Sequence, residues 1–357
     1  MAAIDLNPLH PADPKYWRRE GDRVTCTLCA HLCKIPEGKP GVCGVRVNRA
    51  NKLYTLIYQR PGSIALDPIE KKPLFHFYPG SQVLSFGAPG CNLGCVFCQN
   101  SCLSQVSPGD IPQTEVKAEI LPRLCEQKGA RGCAWTYNEP TIWHEWTMEC
   151  MRELKKAGYY SVYVSNGFIT EEPQREAATL LDAVNVDVKA FTEQYYRRIT
   201  KSRLQPVLDA CVRYVELGIH LELTYLMIPT LNDNPEEVRK FCRWVVDELG
   251  DEVPVHFSRF HPDYKLMHLP NTPMQPLITA HRIAKDEGVK FPYVGNVEHG
   301  DYENTYCPNC GTLLIERSWF RVRFNDLDGS RCRKCKASVP IVGEPGRQVS
   351  ASPVSLF

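Results

Sequence analysis

From Val83 to about Glu287 the chain repeats two patterns of apolar and polar positions. Short apolar runs, rich in β-branched and aromatic residues, predict strands at Val83–Phe86, Cys133–Thr136, Tyr160–Ser165, Ala183–Val188, Leu221–Met227 and Val255–Phe260. Between them, apolar residues recur at helical spacing. Thr114 precedes a helix carrying Val116, Ile120 and Leu124, and Thr141 caps one over Ile142–Ala157 that stops at Gly158. Thr170 opens a helix to about Leu181, Leu204–Leu217 ends at Gly218, Asn234-Pro235 starts one to about Leu249, and Pro273 begins the last. Strands alternating with helices lie parallel, because each connection crosses over the sheet. Six such units predict an α/β fold, a partial (β/α)6 barrel, with its chemistry on the loops that follow the strands.

The flanks read differently. Residues 1–25 are polar and form a lead-in, and alternation at Val45–Val47 and Lys52–Tyr58 predicts a small hairpin turning at Asn51-Lys52. The run Asp67 to Gly80 is dense in charge and aromatics for a linker. It is expected near the site, with Lys71, Lys72 and His76 as candidate substrate contacts. The division is therefore an N-terminal cysteine-rich module and connector (1–80), the barrel (81–300), a C-terminal module (301–340) and a disordered tail (341–357).

Composition narrows the class. The 357 residues carry a formal net charge of +1, which gives no global pull toward nucleic acid or membrane. No apolar run is long enough to span a bilayer, and the start lacks a signal peptide, so a cytoplasmic protein is expected. Seventeen cysteines without an export signal read as metal ligation rather than disulfides. Cys102, Cys125, Cys133, Cys150, Cys211 and Cys242 are scattered and read as small buried side chains, with Cys102 close enough to the central loop to stay open.

The other cysteines form three groups. Cys91, Cys95 and Cys98 stand at C-x3-C-x2-C on the loop after the first barrel strand, with Phe97 just before the third. Three thiolates can hold three irons of a 4Fe–4S cluster and leave the fourth iron open to a cofactor. Cys26, Cys29, Cys33 and Cys43 enclose His31 and suit zinc, held by four thiolates or by three with His31. A second iron–sulfur cluster also fits them. Cys307, Cys310, Cys332 and Cys335 pair two knuckles across a hairpin, the pattern of a zinc ribbon. Arg317, Arg321, Arg323, Arg331, Arg333, Lys334 and Lys336 make this module basic, either a solvated face or a dock for nucleic acid.

Each later strand ends in candidate chemistry. Asn138 and Glu139 precede Pro140, where the carboxylate can receive an amino group. Ser165, Asn166 and Gly167 allow close approach to a ribose. Asp187 and Lys189 put charge on an inward face, where it must be paired or bound, and His261 ends the sixth strand.

Gly90 to Asn100, with the barrel order, resembles the radical S-adenosylmethionine superfamily. Tyr137 to Pro140, Ser165 to Phe168 and Asp187 to Lys189 resemble the activating enzymes of glycyl-radical proteins such as pyruvate formate-lyase. The whole chain, with Asp67-Pro68-Ile69-Glu70-Lys71-Lys72-Pro73-Leu74, is similar to the AmmeMemoRadiSam-system radical enzymes. The resemblance implies that Cys91, Cys95 and Cys98 ligate the cluster and that S-adenosylmethionine chelates its open iron. Reductive cleavage would then give methionine and a 5′-deoxyadenosyl radical that takes hydrogen from a substrate. Glu139 would accept from the methionine amino group, Asn166 would lie near the ribose, and Asp187 and Lys189 near the cofactor. Phe97, Asn138, Ser165 and His261 complete the expected cofactor contacts. Electrons would come from a flavodoxin or ferredoxin. Where activating enzymes often place an acid two positions before the Asn-Gly pair, this chain has Val164, so that contact does not carry over. The expected reaction is glycyl-radical installation on a partner protein, with modification of a small molecule or RNA as the alternative. The alternative of another class is a non-catalytic metal scaffold.

Overall fold

All six expected barrel strands form and lie side by side in chain order. The computed structural model describes residues 9–297, 300–344 and 354–355. We number the main sheet β1 (Ser63–Pro68), β2 (Gln82–Gly87), β3 (Gly132–Trp135), β4 (Tyr160–Ser165), β5 (Ala183–Asp187), β6 (His220–Met227), β7 (Val255–Arg259) and β8 (Pro292–Gly295). Neighbours pair from β8 through to β1, with β2 to β8 parallel and β1 antiparallel to β2. Val354–Ser355 pairs antiparallel with the outer side of β1. The sheet is thus wider than six strands. The sequence pattern misses β1, inside what reads as a connector, and β8, which is short and begins at Pro292.

The longer helices are α1 (Leu121–Lys128), α2 (His144–Lys156), α3 (Glu171–Ala178), α4 (Gln205–Glu216), α5 (Pro235–Trp244) and α6 (Met274–Asp286). Leu84, Phe86, Trp135, Tyr163, Val184 and Val186 turn to the helical side of the sheet and join one large core. The cap before α2 is not Thr141. The Glu139 side chain accepts from Thr141 N, and a 3-10 turn over Pro140–Trp143 precedes the helix.

On the opposite face Val83, Ala134, Tyr160, Val162 and Ala183 pack against Ile69, Leu74 and Phe77. The connector therefore threads the inside of the barrel rather than its surface. Asn185 Nδ2 donates to Pro73 O at 2.8 Å, while Phe75 N and His76 N donate to the buried Glu222 at 3.0 and 2.7 Å. The Phe75 ring meets His256 and Tyr293 at 4.6 and 4.9 Å. One strip of chain thus touches β4 through β8, and the sheet curls around it. Burying a side chain such as Ile69, Leu74 or Phe77 stabilises by roughly 1.5–3 kcal/mol.

Two smaller modules flank the barrel. The lead-in contributes strands that the sequence pattern does not mark: Trp17–Glu20, Arg23–Cys26 and Lys34–Pro36 form one antiparallel sheet. His10–Pro11, Lys52–Thr55 and Arg46–Arg49 form another. The expected hairpin turns one residue early, on Ala50 and Asn51, whose φ values of 51° and 58° suit a type I′ turn. At the other end Leu313–Ser318 pairs with Arg321–Asn325, and Leu327–Asp328 with Arg331–Cys332. Of the tail expected to be disordered, Ile341–Glu344 is described, and Val342 O accepts from Tyr78 N at 2.8 Å. Residues 345–353 and 356–357 lie outside the described residues.

Candidate active site

The Cys91 loop leaves β2 at the end where parallel strands present their loops, and it is held almost entirely by backbone and amide groups. Asn138 Nδ2 donates to Gly90 O at 2.9 Å, and its Oδ1 accepts from Ala88 N at 3.2 Å. Gly94 N and Val96 N donate to Thr200 O and Ile199 O at 2.9 and 3.1 Å. Those carbonyls belong to a π-helical turn, Tyr196–Thr200, of the kind that often marks functional sites. From the next side Lys265 N donates to Val96 O at 3.0 Å. Gln105, which no sequence motif marks, donates to Leu93 O at 3.1 Å.

Burial raises the Cys91 thiol well above its ordinary value and pushes Cys95 up to about 12, although the Lys189 ammonium works in the other direction on Cys95. Bare, these sulfurs would stay protonated, so the loop suits a cationic centre that takes thiolates. Cys98 Sγ lies 3.0 Å from Ser104 Oγ. Among the described residues, the only group of three or more ligand atoms within 4.8 Å of one another is the tail set, so the three loop sulfurs do not converge on a single ion. Three thiolates on three different irons of a cubane do not need to converge. The donor set fits a cluster.

Residues from the ends of β3, β4 and β5 gather around the loop. Asn166 Nδ2 reaches Asn92 Oδ1 at 2.8 Å and Cys91 Sγ at 3.8 Å. Asn92 is buried and donates to Phe168 O at 3.1 Å, which makes it a hub that sequence reasoning passed over inside the cysteine spacing. Lys189 Nζ pairs with Asp187 Oδ2 at 2.9 Å and stands 5.7 Å from the centre of the buried Phe97 ring. Burial works against the Lys189 charge, but the Asp187 carboxylate offsets it and the ammonium stays protonated.

Glu139 is placed differently from expectation. It is buried and accepts from Thr141 N, Thr141 Oγ1, Ser165 Oγ and Asn166 N at 3.0, 2.6, 3.0 and 2.8 Å. Its lone pairs already tie the loops after β3 and β4 together, and burial raises its pKa. Ser165 reaches the site through this carboxylate. His261 is not drawn in: it is exposed, with Nδ1 3.4 Å from the carbonyl of Pro262.

The connector residues divide. Lys72 Nζ and Tyr137 OH meet Asp67 Oδ2 at 2.7 and 2.5 Å, inside the sheet below the mouth. Burial lowers Lys72 to about 8 despite that carboxylate. Tyr137 holds φ at 71°, and a Cβ on Gly87 would stand 2.9 Å from its ring. Lys71 also reaches Asp67, at 2.8 Å, from the half-exposed side. His76 cannot be a substrate contact, because it is buried with Nε2 2.6 Å from Tyr293 OH and Nδ1 3.2 Å from Pro340 O.

The Radical SAM superfamily model matches residues 86–245, which start at Phe86 on β2 and take in the cysteine loop and the ends of β3 to β6. The chain belongs to the radical SAM superfamily. Members of that superfamily are enzymes, and membership implies a 4Fe–4S cluster and S-adenosylmethionine. That disposes of the scaffold alternative. An uncharacterized protein of Methanocaldococcus jannaschii is 42% identical over 329 residues, covering 92% of this chain and 98% of its own length. The pyruvate formate-lyase-activating enzyme of Clostridium pasteurianum is 22% identical over 203 residues, or 53% of this chain and 83% of that enzyme. Among solved structures, a domain of pyruvate-formate lyase-activating enzyme from Bacteroides vulgatus aligns with a TM-score of 0.42 and 12% identity, over 46% of this chain and 99% of that one. No described helix of this radical SAM enzyme is long and apolar enough to cross a membrane.

In the C-terminal module Cys307, Cys310, Cys332 and Cys335 bring their four sulfurs within 4.8 Å of one another. The pairs Cys307–Cys335 and Cys310–Cys332 stand at 3.5 and 3.7 Å, close to the roughly 3.8 Å edge that a tetrahedron with Zn–S of 2.3 Å requires. Arg317 leaves the basic face altogether. It is buried, donating to Phe75 O and Thr305 Oγ1 at 2.7 Å each, with its guanidinium 4.4 Å from the Phe75 ring centre. Five of the scattered cysteines are buried as expected, and Cys102 is exposed.

Proposed function

We propose that this chain binds S-adenosylmethionine at a 4Fe–4S cluster on Cys91, Cys95 and Cys98 and directs the resulting radical onto a glycine of a partner protein. The observation that carries the reading is the loop itself: three sulfurs too far apart to share one ion, ringed by residues from three successive strand ends. When bound, the cluster and its cofactor supply one-electron cleavage of a carbon–sulfur bond and a primary carbon radical. The chain supplies position and dryness. Asn138 and the carbonyls of Ile199 and Thr200 fix the loop, and Glu139 fixes the neighbouring loop that carries Asn166. Phe97 keeps water from the cysteines, and Lys189 offers a cation to a cofactor carboxylate once its bond to Asp187 yields. Asp67, Lys72 and Tyr137 form a polar floor beneath. A zinc ion at Cys307, Cys310, Cys332 and Cys335 holds the C-terminal module.

The reading is tested by reconstituting the protein without oxygen, reducing it and measuring 5′-deoxyadenosine. Wild type should form it and Cys95→Ala should not; no product from wild type, or equal product from the variant, sinks the proposal. The partner step is read by electron resonance of candidate proteins after incubation, where a glycine-centred doublet is expected. A 5′-deoxyadenosine yield that rises with added RNA or small molecules, and no protein radical, would favour the alternative substrate class, for which the exposed Arg321, Arg331 and Lys334 offer a surface.

A further inference from the structure

The four front cysteines differ from the four tail cysteines in a way that separates the two metals open to them. Cys26, Cys29, Cys33 and Cys43 line one pocket with Ile35 and Ile142. Among the described residues, no three of these sulfurs, with or without a nitrogen of His31, come within 4.8 Å of one another. A single zinc ion with Zn–S near 2.3 Å pulls four thiolates to a common edge of about 3.8 Å, which the tail set meets and the front set does not. In this respect the front set matches the Cys91 trio. A cubane spreads its thiolates over four irons, so they need not meet at one point.

The surroundings suit that occupant. Burial raises all four thiols, while backbone N–H groups favour the thiolate, from Leu28 at Cys26, His31 at Cys29, Val42 and Cys33 itself at Cys33, and Val45 and Arg46 at Cys43. His31 is turned away from the pocket's sulfurs, with Nε2 2.6 Å from Asn92 O on the active-site loop. The two cysteine groups are also neighbours. A Cβ on Gly90 would stand 2.5 Å from Cys43 O, so the backbone beside Cys91 rests directly on the backbone of Cys43.

We propose that Cys26, Cys29, Cys33 and Cys43 ligate a second 4Fe–4S cluster, closed by four thiolates, that serves as a one-electron port for the Cys91 cluster. It takes one electron from a low-potential one-electron donor, a reduced iron–sulfur or flavin protein or dithionite. It returns to its oxidised form when that electron passes to the neighbouring cluster, and no bond is made or broken.

Wild-type protein assembled anaerobically with iron, sulfide and zinc present should hold about eight irons, about eight sulfides and about one zinc per chain. About four irons with about two zincs would overturn the proposal. The second measurement uses the Cys91→Ala/Cys95→Ala/Cys98→Ala variant, which leaves the front set intact. It should keep about four irons and, on reduction, a resonance that S-adenosylmethionine does not shift, because a four-thiolate cluster has no open iron. Loss of all iron with retention of about two zincs would again overturn it. Failure of the S-adenosylmethionine reading would show instead as missing 5′-deoxyadenosine from protein that still holds both clusters.

Discussion

Glu139 accepts hydrogen bonds from four donors on the two loops it joins. Replacing it with alanine strands buried donors on Thr141, Ser165 and Asn166, each costing about 1–3 kcal/mol if no water enters. Glu139→Ala should therefore unfold at markedly lower urea and retain less iron, whereas Glu139→Asp should keep part of both. Gly90→Ala tests a different kind of contact. Gly90 has φ at 87°, so the added methyl meets both backbone strain and the Cys43 carbonyl. It should lower cluster occupancy at the Cys91 loop, measured by iron content, without changing the zinc content proposed for the tail cysteines. The sequence marks Glu139, Asn166, Asp187 and Lys189 because each ends a strand in a parallel pattern. It does not disclose that Glu139 is already occupied, since its donors Ser165 and Asn166 lie 26 and 27 residues away and meet it only in the folded sheet.

At the scale of elements, the predicted strands came through because alternation and crossover length are local signals. The connector did not, because its burial depends on groups far along the chain. Pro73 O, Phe75 N and His76 N find Asn185 and Glu222, and nothing between residues 67 and 80 encodes those partners. Arg317 misled for the same reason: it stands in a basic run, yet its planar fork satisfies Phe75 O and Thr305 at the barrel's underside. Arg317→Ala should cost about 3–5 kcal/mol, because it leaves the buried Glu70 carboxylate, 3.9 Å from the guanidinium, without its counter-charge. Limited proteolysis should cut first within residues 305–341 of that variant. If Cys307, Cys310, Cys332 and Cys335 hold zinc as proposed, a chelator should expose the same segment, because metal–thiolate bonds add to the small apolar core around Leu314 and Ile315.

Across the whole molecule, a buried ion pair joins the front module to the barrel. Arg46 Nη1 meets Glu145 Oε1 on α2 at 2.9 Å, and Asp13 N donates to the same oxygen at 3.0 Å. Burial alone would raise Glu145, but the Arg46 charge outweighs it and holds the carboxyl down to about 2. A folded pKa below the unfolded value adds stability above the unfolded pKa and loses it as pH falls. The contribution should be complete above about pH 5 and fade as pH approaches 2, amounting to about 3 kcal/mol. Glu145→Gln should flatten that acid limb in denaturation curves recorded from pH 7 downward, and should lower stability at pH 7.

The strip that fills the barrel precedes β2 to β8 in the chain, with a consequence for the order of assembly. Residues 69–78 leave a ribosome before any strand they will occupy, so the inner face must close on a strip synthesised earlier. The barrel is then not an independent folding unit. A fragment covering residues 81–300 should form helices and an open trough that binds hydrophobic dyes, and a peptide of residues 63–80 added in trans should restore part of the cooperative melt. A fragment that melts cooperatively without the peptide would show that the sheet can find its curvature alone.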